Sequence, residues 1–122
     1  MRYILTILAF LNISFAYENL NPKQFYNLLN KTKDAILLDV RTPQEFYQEG
    51  HIPNANLIPV QLFKYIFLAG KGIKERPVFV YCRSGNRSAI ASKLLEKWGV
   101  KKVYNLNGGI LNWKKENLPI EK

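Results

Sequence analysis

Apolar and polar positions along this chain follow two rhythms in turn. Ala35 to Val40 and Val78 to Cys82 are nearly unbroken apolar runs, interrupted only by Asp39, as expected for strands covered on both faces. Between and around them, apolar residues return every three or four positions. Phe25, Leu28 and Leu29 predict a helix opened by Asn21-Pro22 and fading at Asn30-Lys31. Thr42-Pro43-Gln44-Glu45 reads as a capping box with proline in the first turn, opening a short helix through Phe46 and Tyr47 that stops at Gly50. His51 to Ala55 reads as a turn and Asn56 to Ile58 as a short strand ended by Pro59. Leu62, Phe63, Ile66 and Phe67 predict a further helix broken by Gly70-Lys71-Gly72. Pro77 introduces the strand into Cys82, and a helix is expected from Ser88 to Trp98, stopped by Gly99. Lys102 to Leu106 then reads as a strand. Asn107-Gly108-Gly109 turns the chain into a last helix through Ile110, Leu111, Trp113 and Lys114, closing near Asn117 and Pro119. Strands alternating with helices in this way predict an α/β domain with a mainly parallel sheet, whose site lies at the carboxyl ends of the strands.

Cys82 stands at such an end. The stretch Tyr81-Cys82-Arg83-Ser84-Gly85-Asn86-Arg87-Ser88 therefore reads as strand, tight loop and helix start. Backbone amides of the loop and the positive end of the helix would converge on the sulfur, with Arg83 and Arg87 flanking it. An anion belongs in such a place, and it can be the thiolate itself, because surroundings of this kind favour the nucleophilic form of cysteine. A cysteine ending a buried strand is often a small apolar filler. Gly85, the two arginines and the helix start argue together for a reactive centre instead.

Composition adds a setting. The 122 residues suffice for one ordinary domain, and 48% hydrophobic with 22% charged residues describes a folded chain. Residues 1–16 read as a cleavable signal peptide: Arg2 gives a positive start, Ile4 to Leu11 is apolar apart from Thr6, and Ser14 and Ala16 supply small residues before a cut after Ala16. Asn12 and Ser14 interrupt a stretch too short to serve well as a membrane anchor. The domain is then 17–122, and the expected location is outside the cytoplasm, in the periplasm. There a single cysteine can form no internal disulfide, and its thiol is left for chemistry. The net charge of +9 becomes +8 once Arg2 leaves with the leader, which favours anionic ligands. The lysines are scattered rather than gathered on a basic helix with exposed aromatics, which argues against nucleic-acid binding. One Cys and one His are too few for a metal site.

Several stretches taken in order resemble the single-domain rhodaneses, or thiosulfate sulfurtransferase-like domains. They are Leu38-Asp39-Val40-Arg41, Glu45-Phe46, Gly50-His51-Ile52-Pro53, the Cys82 to Ser88 loop, Leu106-Asn107-Gly108-Gly109, Trp113 and Leu118-Pro119. The resemblance implies a mainly parallel five-stranded sheet flanked by helices on both faces. It also implies that Cys82 accepts a sulfane sulfur from thiosulfate, polysulfide or a persulfide and passes it from a Cys82 persulfide to cyanide or a thiol, without a cofactor. Arg83, Ser84, Gly85, Asn86, Arg87 and Ser88 would cradle the anion. Asp39 and Arg41 could be catalytic, but they are expected to pin the loops near the site by hydrogen bonds and an ion pair; His51, a candidate base or ligand, is expected to be a turn residue bonded to nearby backbone. Asn54 stands where the family usually has glycine, and asparagine can still take the left-handed conformation. Asn56 lies one place earlier than in the family pattern, which leaves the packing around Leu57-Ile58-Pro59 open.

Two other activities share these residues. A cysteine phosphatase or arsenate reductase uses a similar cradle, but with five residues between cysteine and arginine; here Arg83 to Asn86 are four, better suited to one sulfur atom than to a tetrahedral phosphate. A sulfur-carrier module, exchanging persulfide with a sulfur-relay protein and turning over thiosulfate slowly, needs the same Cys82.

Overall fold

The computed structural model describes residues 17–63, 65 and 73–122. The expected leader and Ile66, Phe67 and Gly70-Lys71-Gly72 lie outside the described residues. Five strands, β1 (Glu18–Leu20), β2 (Ile36–Asp39), β3 (Asn56–Leu57), β4 (Val78–Tyr81) and β5 (Val103–Leu106), form one sheet in the order β1-β5-β4-β2-β3. Every pairing is parallel. The helices are α1 (Pro22–Lys31), α2 (Pro43–Glu49), α3 (Asn86–Lys97) and α4 (Gly109–Lys115), with short 3-10 turns at Val60–Leu62 and Ile73–Glu75. Among the described residues no helix is long and apolar enough to cross a membrane.

Side chains of the central strand alternate between two cores. Val78, Val80 and Cys82 face α3, meeting Leu38, Val40, Phe63, Ala91 and Leu95. Phe79 and Tyr81 face α1 and α4, meeting Phe25, Leu37, Ile110 and Trp113. Covering both faces is why β2 and β4 read as continuous apolar runs. Trp113 is fully buried, and its Nε1–H donates to Pro119 O at 2.8 Å. Trp98 is only partly buried at the rim of the first core.

Both predicted helix starts with proline are present. Asn21 and Gln24 form a capping box on α1, and Thr42 and Glu45 form one on α2. α3 begins at Asn86, two residues before the expected Ser88, because Gly85 takes a left-handed conformation (φ +114°) that turns the chain into the helix directly. Strand β1 escapes the hydrophobic pattern: Glu18 and Asn19 are exposed at the sheet edge, and the strand exists through its pairing with Tyr104 to Leu106. Asn54 does adopt positive φ (+69°). Asn56 Nδ2 donates to Leu37 O at 3.2 Å, while Ile58 packs on the α3-side core, which settles the packing around Pro59.

Candidate functional site around Cys82

β4 is the middle strand, and Cys82 is the first residue beyond its carboxyl end. The sulfur is buried on the α3 side of the sheet. The loop that follows folds back over it, so that Gly85 N–H donates to Cys82 Sγ at 3.1 Å. The thiol in turn donates to Ser88 Oγ at 3.3 Å, and the Ser88 hydroxyl donates to Gly85 O at 3.2 Å. When the sulfur is a thiolate, rotation of the Ser88 hydroxyl turns the same contact into a donor toward it. The first intrahelical bond of α3 runs from Ala89 N–H to Gly85 O. The amides of Asn86, Arg87 and Ser88 precede it and find no acceptor within the helix. They lie at the positive end of the helix, where negative charge is favoured.

A second helix holds this loop from behind. Ile110 N–H donates to Cys82 O at 2.9 Å and Leu111 N–H to Arg83 O at 3.2 Å, so the first turn of α4 is capped by the reactive loop itself. This close approach requires Gly109, whose φ is +65° and where a Cβ would come within 2.2 Å of Arg83 O.

The residues predicted for the site separate into three groups. Cys82, Gly85 and Ser88 are bonded to one another, with the Ser84 and Asn86 side chains exposed at the rim and Arg83 exposed beside them. Arg87 is turned onto α2: its Nη1 and Nη2 donate to the two Glu45 oxygens at 2.7 and 2.9 Å. Asp39 and Arg41 form a fully buried ion pair at 2.8 Å beside Tyr81, on the opposite face of the sheet from the sulfur. Arg41 Nη2 also donates to Gly50 O at 2.7 Å, tying down the end of α2. Burial, helped by the charge of Asp39, pushes the Tyr81 phenol far above its ordinary range. Protonated, it accepts from Ile52 N–H at 3.1 Å. His51 stacks on Phe46 with ring centroids 3.8 Å apart, and its Nδ1 lies 3.0 Å from Ile52 O, so it is a turn residue and not part of the sulfur site.

Glu45, legible in the sequence as a helix cap and as part of the family-like stretch Glu45-Phe46, has a partner at the sulfur site that the sequence does not show. Its Oε1 accepts from Thr42 N–H at 3.1 Å and also from Arg87. The signal was present in the capping box, but nothing local shows that Arg87, 42 positions later, reaches the same carboxylate. Bonding to Arg87, and secondarily to Thr42, holds the Glu45 carboxyl down to about 2. A depressed carboxyl stabilises the fold above its unfolded value of about 4.5 and loses that contribution as pH falls toward about 2. The pair is partly solvated, which limits the effect to about 1–2 kcal/mol. Urea midpoints of the parent and Glu45→Gln are therefore expected to differ at pH 5 and to converge as pH falls toward 2; a constant gap would refute the linkage.

A groove of about 540 Å³ lined by Tyr26, Leu37, Ile52 and Trp113 opens on the α1 and α4 side and does not reach Cys82. Among the described residues, no group of three His, Cys, Asp or Glu side chains is placed to hold a metal ion.

Comparison with known proteins agrees with this geometry. Residues 21–116 match the family model described as the rhodanese-like domain. A sulfurtransferase of Allochromatium vinosum is 42% identical over 92 residues, covering 75% of this chain and 83% of that protein. The thiosulfate sulfurtransferase GlpE of Coxiella burnetii is 37% identical over 99 residues, covering 80% of this chain and 88% of its own. Among solved structures, the polysulfide-sulfur transferase homodimer of Wolinella succinogenes superimposes with a TM-score of 0.73 at 32% identity, covering 98% of this chain and 89% of that one.

Proposed function

The chain belongs to the rhodanese-like family and is a sulfurtransferase, and on that premise we propose that it moves sulfane sulfur through a persulfide on Cys82. The thiolate electron pair forms a bond to the outer sulfur of the donor. The donor's sulfur–sulfur bond breaks, and its electron pair leaves with sulfite when the donor is thiosulfate, or with the shortened chain when it is a polysulfide. The terminal sulfur of the Cys82 persulfide then carries the negative charge until cyanide or a thiol attacks it and returns the thiolate. Covalent transfer in two half-reactions of this kind gives ping-pong kinetics.

The observation that carries the proposal is the convergence on one sulfur of the Gly85 amide, the Ser88 hydroxyl and the start of α3. These groups serve whichever atom is negative at each stage, first Sγ and then the added sulfur, without a separate base. Relatives that carry thiosulfate or polysulfide in their names support both small donors. Export through residues 1–16 is part of the same reading: a lone thiol cycling through a persulfide suits an oxidising compartment that leaves it no disulfide partner within the chain.

Incubation of residues 17–122 with thiosulfate, or with polysulfide in a parallel sample, is expected to add the mass of one sulfur atom. Cyanide should remove it, and Cys82→Ser should prevent it. An unchanged intact mass with both donors would overturn the persulfide mechanism.

A further inference from the structure

The ion pair between Glu45 and Arg87 changes the charge of the sulfur site. A cradle of loop amides, Arg83 and a free Arg87 would suit a doubly charged donor. In the folded protein Arg87 is instead held in a two-pronged bond by Glu45, at 2.7 and 2.9 Å, with both side chains partly withdrawn from water. The Arg87 charge is close enough to Cys82 for the two to be felt electrostatically. Its partner carboxylate nevertheless cancels most of it at the distance of a bound donor. Among the described residues, what remains for an incoming anion is the Gly85 amide with the positive end of α3, worth about half a charge, and the exposed, water-screened Arg83. Against these stands the negative sulfur nucleophile. Adding thiosulfate brings two further negative charges to the mouth of the site, and adding a hydropersulfide anion or a thiosulfonate brings one.

We propose that Glu45 is a positioning residue that sets donor specificity, holding Arg87 at the rim in neutralised form and so biasing Cys82 toward singly charged sulfane-sulfur donors over the thiosulfate dianion. This rests on the persulfide reading above and refines it by naming the class of donor. Glu45 does not touch the reacting sulfur; it acts through Arg87. Its second task, capping α2 through Thr42, keeps the carboxylate in place. That double bonding makes the bias a property of the fold rather than of a mobile surface charge.

The test compares thiosulfate with methanethiosulfonate, a singly charged donor that loses sulfinate in the same displacement. Sulfur loading of Cys82 is followed by intact mass at several donor concentrations. Glu45→Gln keeps the cap, since glutamine serves a capping box as well as glutamate does, and its amide oxygen can still accept from Arg87. The negative charge is lost, together with one of the two bonds from Arg87, because the amide nitrogen cannot accept. Coulomb energy scales with the charge of the ligand, so the gain for the dianion should be the square of the gain for the monoanion: about threefold for methanethiosulfonate and about tenfold for thiosulfate at low salt. The gain should appear in the donor concentration for half-maximal loading, with the limiting rate little changed, and should shrink as salt is added. Glu45→Asp, which retains the charge, should keep the parent's ratio between donors. Equal changes for both donors, or a relative loss for thiosulfate, would overturn the role assigned to Glu45 while leaving Cys82 loading intact. Failure of both donors to load the parent would overturn the persulfide reading and this inference with it.

Discussion

Arg41→Met is expected to destabilise the fold by about 3–5 kcal/mol, the usual cost of leaving one partner of a buried ion pair alone. Asp39 and Arg41 are both fully buried. Arg41 Nε lies 3.0 Å from each Asp39 oxygen, and its Nη2 reaches Oδ2 at 2.8 Å. Methionine fills much of the same space but removes these donors, together with the bond from Nη2 to Gly50 O. The carboxylate would then keep only the Arg41 backbone N–H among these contacts, at 2.9 Å. Small domains are stable by only about 5–15 kcal/mol, so the variant should sit near the edge of folding. Urea unfolding with an unchanged dependence on denaturant measures the loss. The double variant Asp39→Leu/Arg41→Met should recover part of it, because an apolar pair leaves no uncompensated charge. A loss below about 1 kcal/mol for the single variant would show that water reaches Asp39 and solvates it.

The second large effect is expected at Gly109. A Cβ there would meet Arg83 O at 2.2 Å, Arg83 C at 2.4 Å and Ser84 N at 2.6 Å, all of them backbone atoms of the reactive loop. Backbone cannot swing aside as a flexible side chain can, so α4 or the loop must move. Gly109→Ala should therefore break the bonds from Ile110 and Leu111 to the loop and displace the Gly85 amide from Cys82. Sulfur loading is expected to fall about a hundredfold, the lower end of what loss of one preorganised donor at a developing charge costs. Gly99→Ala provides the comparison. Its φ is also positive (+93°), but the nearest atoms are the flexible end of Lys74 at 3.6 Å. It should show only the conformational cost of about 1–2 kcal/mol, with loading unchanged in the folded protein. Equal loading rates in Gly109→Ala and the parent would mean that α4 does not hold the loop.

These two sites also show what could be read without coordinates. Gly109 was legible as a turn residue in Asn107-Gly108-Gly109, yet its reason for being glycine is the backbone of a loop more than 20 positions earlier in the chain. Asp39 was legible as a carboxylate inside an apolar run, and its pairing with Arg41 was expected as support for the loops near the site. That the pair lies across the sheet from Cys82 follows only from the alternation of Tyr81 and Cys82 between the two cores. β1 was hidden for a related reason. Three residues with little apolar character become a strand when β5 offers an unpaired edge.

The amino-acid sequence by itself determined the succession of strands and helices apart from β1, the cap-and-proline starts of the first two helices, and the placing of one cysteine at the head of an anion-favouring loop. Those features depend on neighbours within a few residues, through side-chain periodicity, caps and the φ angles that glycine permits. Only the tertiary structure decided the charge of the site. Arg83 and Arg87 are equivalent as sequence, two cations flanking one sulfur, but Glu45 lies 42 positions from Arg87, and only folding brings the carboxylate within 2.7 Å of the guanidinium. A charge is strong or silent according to what stands beside it, and a contact at that distance along the chain is set by where the sheet places α2 and the start of α3.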